Sequence, residues 1–176
     1  MNRAIRAAAL STAALSLAAL SPAALSADAR AASTTGALMI THVRPNTSGA
    51  DLRDGRQLNL NGEYFLIRNV TSRTVNTGGY VPDITSNTYG RVLPSYDLPA
   101  GAKAYVHTGS GTNHRDGSGW HHLYRGYARH VLPNDARSRT PDLRLKKPGS
   151  PDDNTSTGSV SSCNWNLAAD GTTYAC

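Results

Sequence analysis

Glutamate is nearly missing from this chain: Glu63 is the only one in 176 residues. Paired glutamates of the kind used in glycoside hydrolysis are therefore unsupported, the more so because Glu63 opens a β-like run. Cysteine occurs twice, with no C-x-x-C redox motif and no metal-ligand spacing. No H-E-x-x-H motif is present, and Ser110 in Gly109-Ser110-Gly111 lacks the G-x-S-x-G nucleophile elbow. There is no internal repeat and no sustained 3.6-residue apolar period outside the N-terminus, which argues against a helical protein. Arg and Lys are scattered and form no long run. After the first thirty residues, no stretch is apolar enough to span a membrane.

What is present starts at the N-terminus. Arg3 and Arg6 precede an apolar run from Ala7 to Leu20, which Ser21-Pro22 breaks. Ala27-Asp28-Ala29 fits an A-x-A cleavage site, with Leu25-Ser26-Ala27 as a rival. The pattern is that of a secretory signal peptide over 1–29, since the run falls short of the roughly 20 residues a span needs. Arg3 and Arg6 are not adjacent, which argues against a twin-Arg signal. The mature chain is expected to be secreted, with no membrane span, and large enough for one domain. The whole chain carries a formal charge of +6. The mature part remains mildly basic, which permits contact with acidic polymers or nucleic acid. In an oxidising compartment Cys163 and Cys176 pair by default, which would stabilise by about 3 kcal/mol.

Residues 30–36 read as a disordered leader. From there the chain has the syntax of an antiparallel β-protein. Strands are expected at Ala37–Val43, Glu63–Val70, Thr74–Thr77, Thr88–Pro94 and Ala102–Thr108. Shorter ones are expected at Gln57–Leu60, His130–Leu132, Leu143–Lys146 and Val160–Trp165. In the second of these, Phe65 and Ile67 share one face by the period of two, and that face is assigned to the core. In the segment 102–108, Ala104 and Val106 take one face and Lys103, Tyr105 and His107 the other. Asn69 ends its strand at the turn Thr71-Ser72-Arg73, where its amide can bond local backbone. Gly109 to Gly119 reads as a long polar loop. Many short strands between turn signals predict an all-β fold, a sandwich or small barrel.

Several phrases in order resemble the lamin tail domain family, an immunoglobulin-like antiparallel β-sandwich. They are Gly62-Glu63-Tyr64-Phe65-Leu66-Ile67-Arg68-Asn69, Arg73-Thr74-Val75-Asn76 with Gly79-Tyr80, and Leu98-Pro99-Ala100-Gly101-Ala102. Val106-His107-Thr108-Gly109-Ser110-Gly111-Thr112-Asn113 and Leu123-Tyr124-Arg125-Gly126 follow. After Gly126 the chain departs from the family pattern, with Val131-Leu132-Pro133-Asn134-Asp135 and a basic segment, until Ser162-Cys163-Asn164-Trp165. The resemblance implies a sandwich over 37–165; a tail over 166–176 follows, which the Cys163–Cys176 pair can close. It implies a binding or structural module and offers no catalytic residues, so a non-enzymatic protein is expected, with no cofactor and no metal.

Two groups of residues carry alternatives. Arg115, Trp120, His121, Tyr124, Arg125 and Arg129 interleave cationic and aromatic groups, a pattern that can stack on sugars or bases while cations meet phosphates. This is the candidate binding surface. It supports an exported nucleic-acid-binding module as the first alternative, although a protein or cell-wall polymer is the favoured partner. His107, His114, His121, His122 and His130 with Asp116 support a second alternative, a metal-dependent hydrolase. Adjacent His121 and His122 point to opposite faces if extended, which weakens that reading. Asp152-Asp153-Asn154 has oxygen ligands without EF-hand spacing.

Overall fold

The computed structural model describes residues 36–86, 90–134, 140–166 and 169–176. The expected signal peptide over 1–29, most of the expected leader over 30–36, Thr88-Tyr89 and Asp135 lie outside these residues. The strands are β1 (Leu38–Arg44), β2 (Leu52–Arg53), β3 (Arg56–Gln57), β4 (Tyr64–Asn69), β5 (Val75–Asn76), β6 (Val81–Asp83) and β7 (Asp97–Leu98). They continue as β8 (Lys103–His107), β9 (His114–Arg115), β10 (His121–Tyr124), β11 (Asp142–Lys146), β12 (Ser159–Asn164) and β13 (Tyr174–Ala175). One 3-10 turn, Leu60–Gly62, precedes β4. Among the described residues no helix is long and apolar enough to cross a membrane. The protein is all-β, as its turn-punctuated strands predict.

A six-stranded sheet has the order β13-β1-β4-β8-β10-β9, and a three-stranded sheet the order β12-β11-β6. Two short ribbons, β2-β3 and β5-β7, decorate them. Pairing is antiparallel except between β8 and β10, which run parallel. The two main sheets share one core. The larger sheet supplies Leu38, Ile40, Val43, Phe65, Ile67, Ala104, Val106 and Leu123, and the smaller supplies Leu143, Leu145 and Cys163. Each of the larger side chains, fully buried, contributes about 1.5–3 kcal/mol. The expected core faces hold in β4 and β8: Phe65 and Ile67 are buried, as are Ala104 and Val106, and in β4 Leu66 on the other face is buried too. In β1 the alternation breaks, because a bulge at Thr41 lets Ile40 and Val43 both face inward opposite Ile67 and Phe65.

Polar ties join the layers. The Ile40 amide donates to Ser161 Oγ at 2.9 Å. Cys163 and Cys176 form the expected disulfide, and the Cys176 amide donates to Thr41 O at 2.9 Å. Buried Asn69 bonds local backbone as expected, and reaches further. Its Nδ2 donates to the carbonyls of Arg73, Leu98 and Pro99, and its Oδ1 accepts from the Thr71 amide and hydroxyl.

Several expected strands are absent or altered. Residues 90–94 form no strand. Gly90 has a left-handed φ of 71°, Pro94 has no N–H to donate, and Leu93 instead bonds Tyr80 O and fills the core. His130–Leu132 is not a strand either. The Val131 amide is taken by Glu63 Oε1 at 2.9 Å, and His130 Nε2 by Leu58 O. The expected strand at Gln57–Leu60 ends at Gln57, because Asn59 turns left-handed at φ 51°. The expected loop Gly109–Gly119 contains β9, which adds the sheet edge beside β10.

Candidate functional site

The outward face of the six-stranded sheet collects rings. Register places Arg44, Tyr64, His107 and Tyr124 in one row across β1, β4, β8 and β10. The next row holds Leu66, Tyr105, His122 and His114 across β4, β8, β10 and β9. Strands lie about 4.8 Å apart, close to the spacing of stacked rings. Most of the rings therefore stand side by side with their planes near parallel. Tyr105 and His122 are 5.2 Å apart and 14° from parallel, and His107 and His122 are 5.3 Å and 3°. His107 and Tyr124 are 4.8 Å and 19°, and His114 and His122 are 4.9 Å and 10°. Tyr64 closes the group edge-on to Tyr105 at 5.0 Å. Trp120 tilts against Tyr105 at 5.2 Å, with Lys103 Nζ 5.8 Å from its ring. Arg44 lies over Tyr64 at 5.9 Å. A Cβ on Gly111 would stand 2.5 Å from the Tyr124 ring, so only glycine lets that loop lie against it.

A hydrogen-bonded line runs through the stack. His107 Nδ1 bonds Asn61 O at 2.8 Å, and its Nε2 faces His122 Nδ1 at 3.0 Å. His122 Nε2 faces Asp116 Oδ2 at 3.3 Å. Burial pushes His107 below the usual histidine range, aided by His122 and His114. A neutral His107 that donates from Nδ1 accepts at Nε2, so His122 is the donor between them. Asp116 is held at about 2, first by the Ser118 hydroxyl, with the Trp120 amide and His122 adding to it. Asp116 is then a carboxylate, and it lies 3.3 Å from His122 Nε2.

Two hollows flank the face. An open cleft of about 1040 Å³ is lined by Arg44, Ser48, Arg56, Asn59, Asn61 and Ser110, among others. Asn61 Nδ2 donates to Ser110 O at 3.0 Å, and the absent Cβ of Gly109 lets the two loops close. A smaller hollow of about 300 Å³ lies beside Lys103, Ser118 and Trp120.

The six residues of the candidate surface do not form one patch. Trp120 and Tyr124 belong to the ring face. His121 is buried on the opposite face, its Nδ1 2.8 Å from the Tyr96 hydroxyl, and burial followed by Arg115 lowers its pKa. Arg115, opposite His121 in the register, shares that side of the sheet. Arg125 is buried, bonded to Arg91 O and stacked on Tyr127. Arg129 is exposed, past the end of β10. Tyr64, Tyr105 and Arg44 are missing from the sequence-based surface. The alternation in β8 already pointed Lys103, Tyr105 and His107 outward, but the neighbouring strands were not readable.

The histidines gather in part. His107, His114 and His122 stack, His121 faces away, and His130 sits elsewhere against Glu63 Oε2 at 3.5 Å. Among the described residues, no three His, Cys, Asp or Glu side chains are placed to hold one metal ion. Asp153, in the acidic loop, is engaged by the Lys146 ammonium at 2.5 Å. Fold and face together define an all-β protein with a ring-lined, solvent-facing sheet. No family model, curated protein or solved structure matches the chain.

Proposed function

We propose that the chain is a secreted, non-enzymatic binding module on an immunoglobulin-like sandwich of the lamin-tail type, working at the cell surface or in the medium. Two sheets around one core, and a disulfide from β12 of one to the residue after β13 of the other, support this reading. So does the meeting of the family-like phrases in space. Asn69 from one binds the carbonyls of Arg73, Leu98 and Pro99 from two others. The observation that carries a binding role is the uncovered face of rings and cations around Tyr105, His107 and His122. Among the described residues no second layer packs on this half-buried face, which leaves it a surface to offer a partner.

The test is retention on isolated cell envelopes. Mature protein is expected to sediment with them saturably. The double variant Tyr105→Ser, Trp120→Ser is expected to stay in solution while keeping a native β-type circular dichroism spectrum. Equal retention of wild type and this variant would remove the ring face from the reading.

A further inference from the structure

We infer that the ring face and its adjoining cleft bind a polyol-phosphate chain, the phosphodiester class of cell-wall polymer. The inference rests on the binding role proposed above and adds the chemistry of the ligand. Three observations point to it.

The first is charge. Arg44, Arg68 and Lys103 stand on the outward face of β1, β4 and β8, and Asp116 beside the rings is already engaged, by the Ser118 hydroxyl and 3.3 Å from His122 Nε2. The cleft continues this balance. Arg44 and Arg56 line it, and no carboxylate does so among the described residues. Arg56 is exposed, and its side chain makes no hydrogen bond or ion pair among the described residues. Such a surface complements a polyanion.

The second is the lining of the cleft. Between its arginines it offers hydroxyls and amides, from Ser48, Asn59, Asn61 and Ser110. These groups hydrogen-bond hydroxyls, and the guanidinium groups bind phosphates. Arg44 belongs to both cleft and face, over Tyr64 and 2.6 Å from Ser48 Oγ. One chain can therefore run from the cleft along the row Arg44, Tyr64, His107, Tyr124. That row crosses three strand spacings, about 14 Å.

The third separates this ligand from a nucleic acid. Binding of single strands relies on bases stacking on open aromatic faces. Here His107 and His122 meet edge to edge through their 3.0 Å hydrogen bond, and Tyr105 lies near parallel to both, at 17° and 14°, with Tyr124 at 19° to His107, so these rings cover one another's faces. A phosphodiester chain without bases loses nothing on such a surface.

The experiment is fluorescence anisotropy with a labelled synthetic ten-unit poly(glycerol phosphate). A dT10 oligonucleotide and uncharged polyglycerol serve as competitors. Poly(glycerol phosphate) is expected to bind with a salt-dependent constant, polyglycerol not to compete, and dT10 to compete at least tenfold more weakly. Arg56→Gln and Arg44→Gln are each expected to weaken binding roughly tenfold and to reduce the salt slope by about one. Arg56 is exposed, so its replacement tests the cleft even if Arg44→Gln perturbs folding. Equal or tighter binding of dT10 would overturn the inference in favour of a nucleic acid. Equal competition by polyglycerol would overturn it in favour of a neutral glycan. No binding of poly(glycerol phosphate) would end the inference, and envelope retention would still stand or fall by itself.

Discussion

Replacing Lys146 should damage this protein more than any surface lysine would. Lys146 and Asp83 are both wholly buried, on the paired strands β11 and β6. The ammonium donates to Asp83 Oδ2 at 2.7 Å, Asp153 Oδ1 at 2.5 Å and Pro151 O at 2.9 Å, so its three protons are satisfied. Burial alone would push the ammonium pKa down. The bonds to Asp153 and Asp83 outweigh it and hold the pKa above the usual lysine value. In Lys146→Met, Asp83 keeps only Arg144, at 3.3 Å, as a cationic partner. Breaking a buried pair from one side costs about 3–5 kcal/mol. For a chain of this size that is a fall in Tm of roughly 10 °C or more. The double variant Lys146→Met, Asp83→Leu removes both charges and leaves Arg144 to Asp142 at 3.2 Å. It should be no less stable than Lys146→Met alone, with a coupling of about 2–3 kcal/mol. Urea unfolding of oxidised protein, with m-values compared across the cycle, measures this. A Lys146→Met variant within about 1 kcal/mol of wild type, or strictly additive effects, would refute the reasoning.

Three further outcomes are expected. Serine at both Cys163 and Cys176, which are 13 residues apart, should lower stability by about 3 kcal/mol in urea unfolding. Reduction of the wild type should reproduce that loss. Asn69→Ala removes five hydrogen bonds from a buried site and should cost about 2–4 kcal/mol in the same assay. His130 is held above the ordinary histidine value, first by its bond to Glu63, with burial opposing. A raised value in the folded state means stabilisation that is complete below about pH 6.5 and lost as pH rises through the folded-state value. The stability gap between wild type and His130→Gln should therefore be largest near pH 5.5 and shrink towards pH 9. A gap that widened with pH would contradict this.

Local pattern carried much of the fold. The strand at Tyr64–Asn69 and the faces of Lys103–His107 follow from alternation alone, because a side chain's side of a strand depends only on parity. Asn69 at a strand-to-turn junction read as a backbone-binding amide for an equally local reason. Other features were not legible. The end of a strand depends on who else wants its amides: Val131 gives its N–H to Glu63, 68 residues away. Lys146 and Asp83 look like ordinary surface charges until two strands and a loop enclose them.

The ring face shows the division most clearly. By itself the sequence determined that the chain is rich in short strands, that Tyr105 and His107 oppose Ala104 and Val106, and that His121 and His122 point apart. Tertiary structure alone decided which strands are neighbours. The parallel pairing of β8 with β10 sets His122 opposite Tyr105 and Tyr124 opposite His107. It also stands those rings face to face, which closes them to an intercalating base. Arg125, one residue past Tyr124, leaves that surface because the chain turns its guanidinium inward to Arg91 O. Parity along a strand is written in consecutive residues. Adjacency between strands arises from packing and hydrogen bonding among segments far apart in the chain, and no local pattern encodes it.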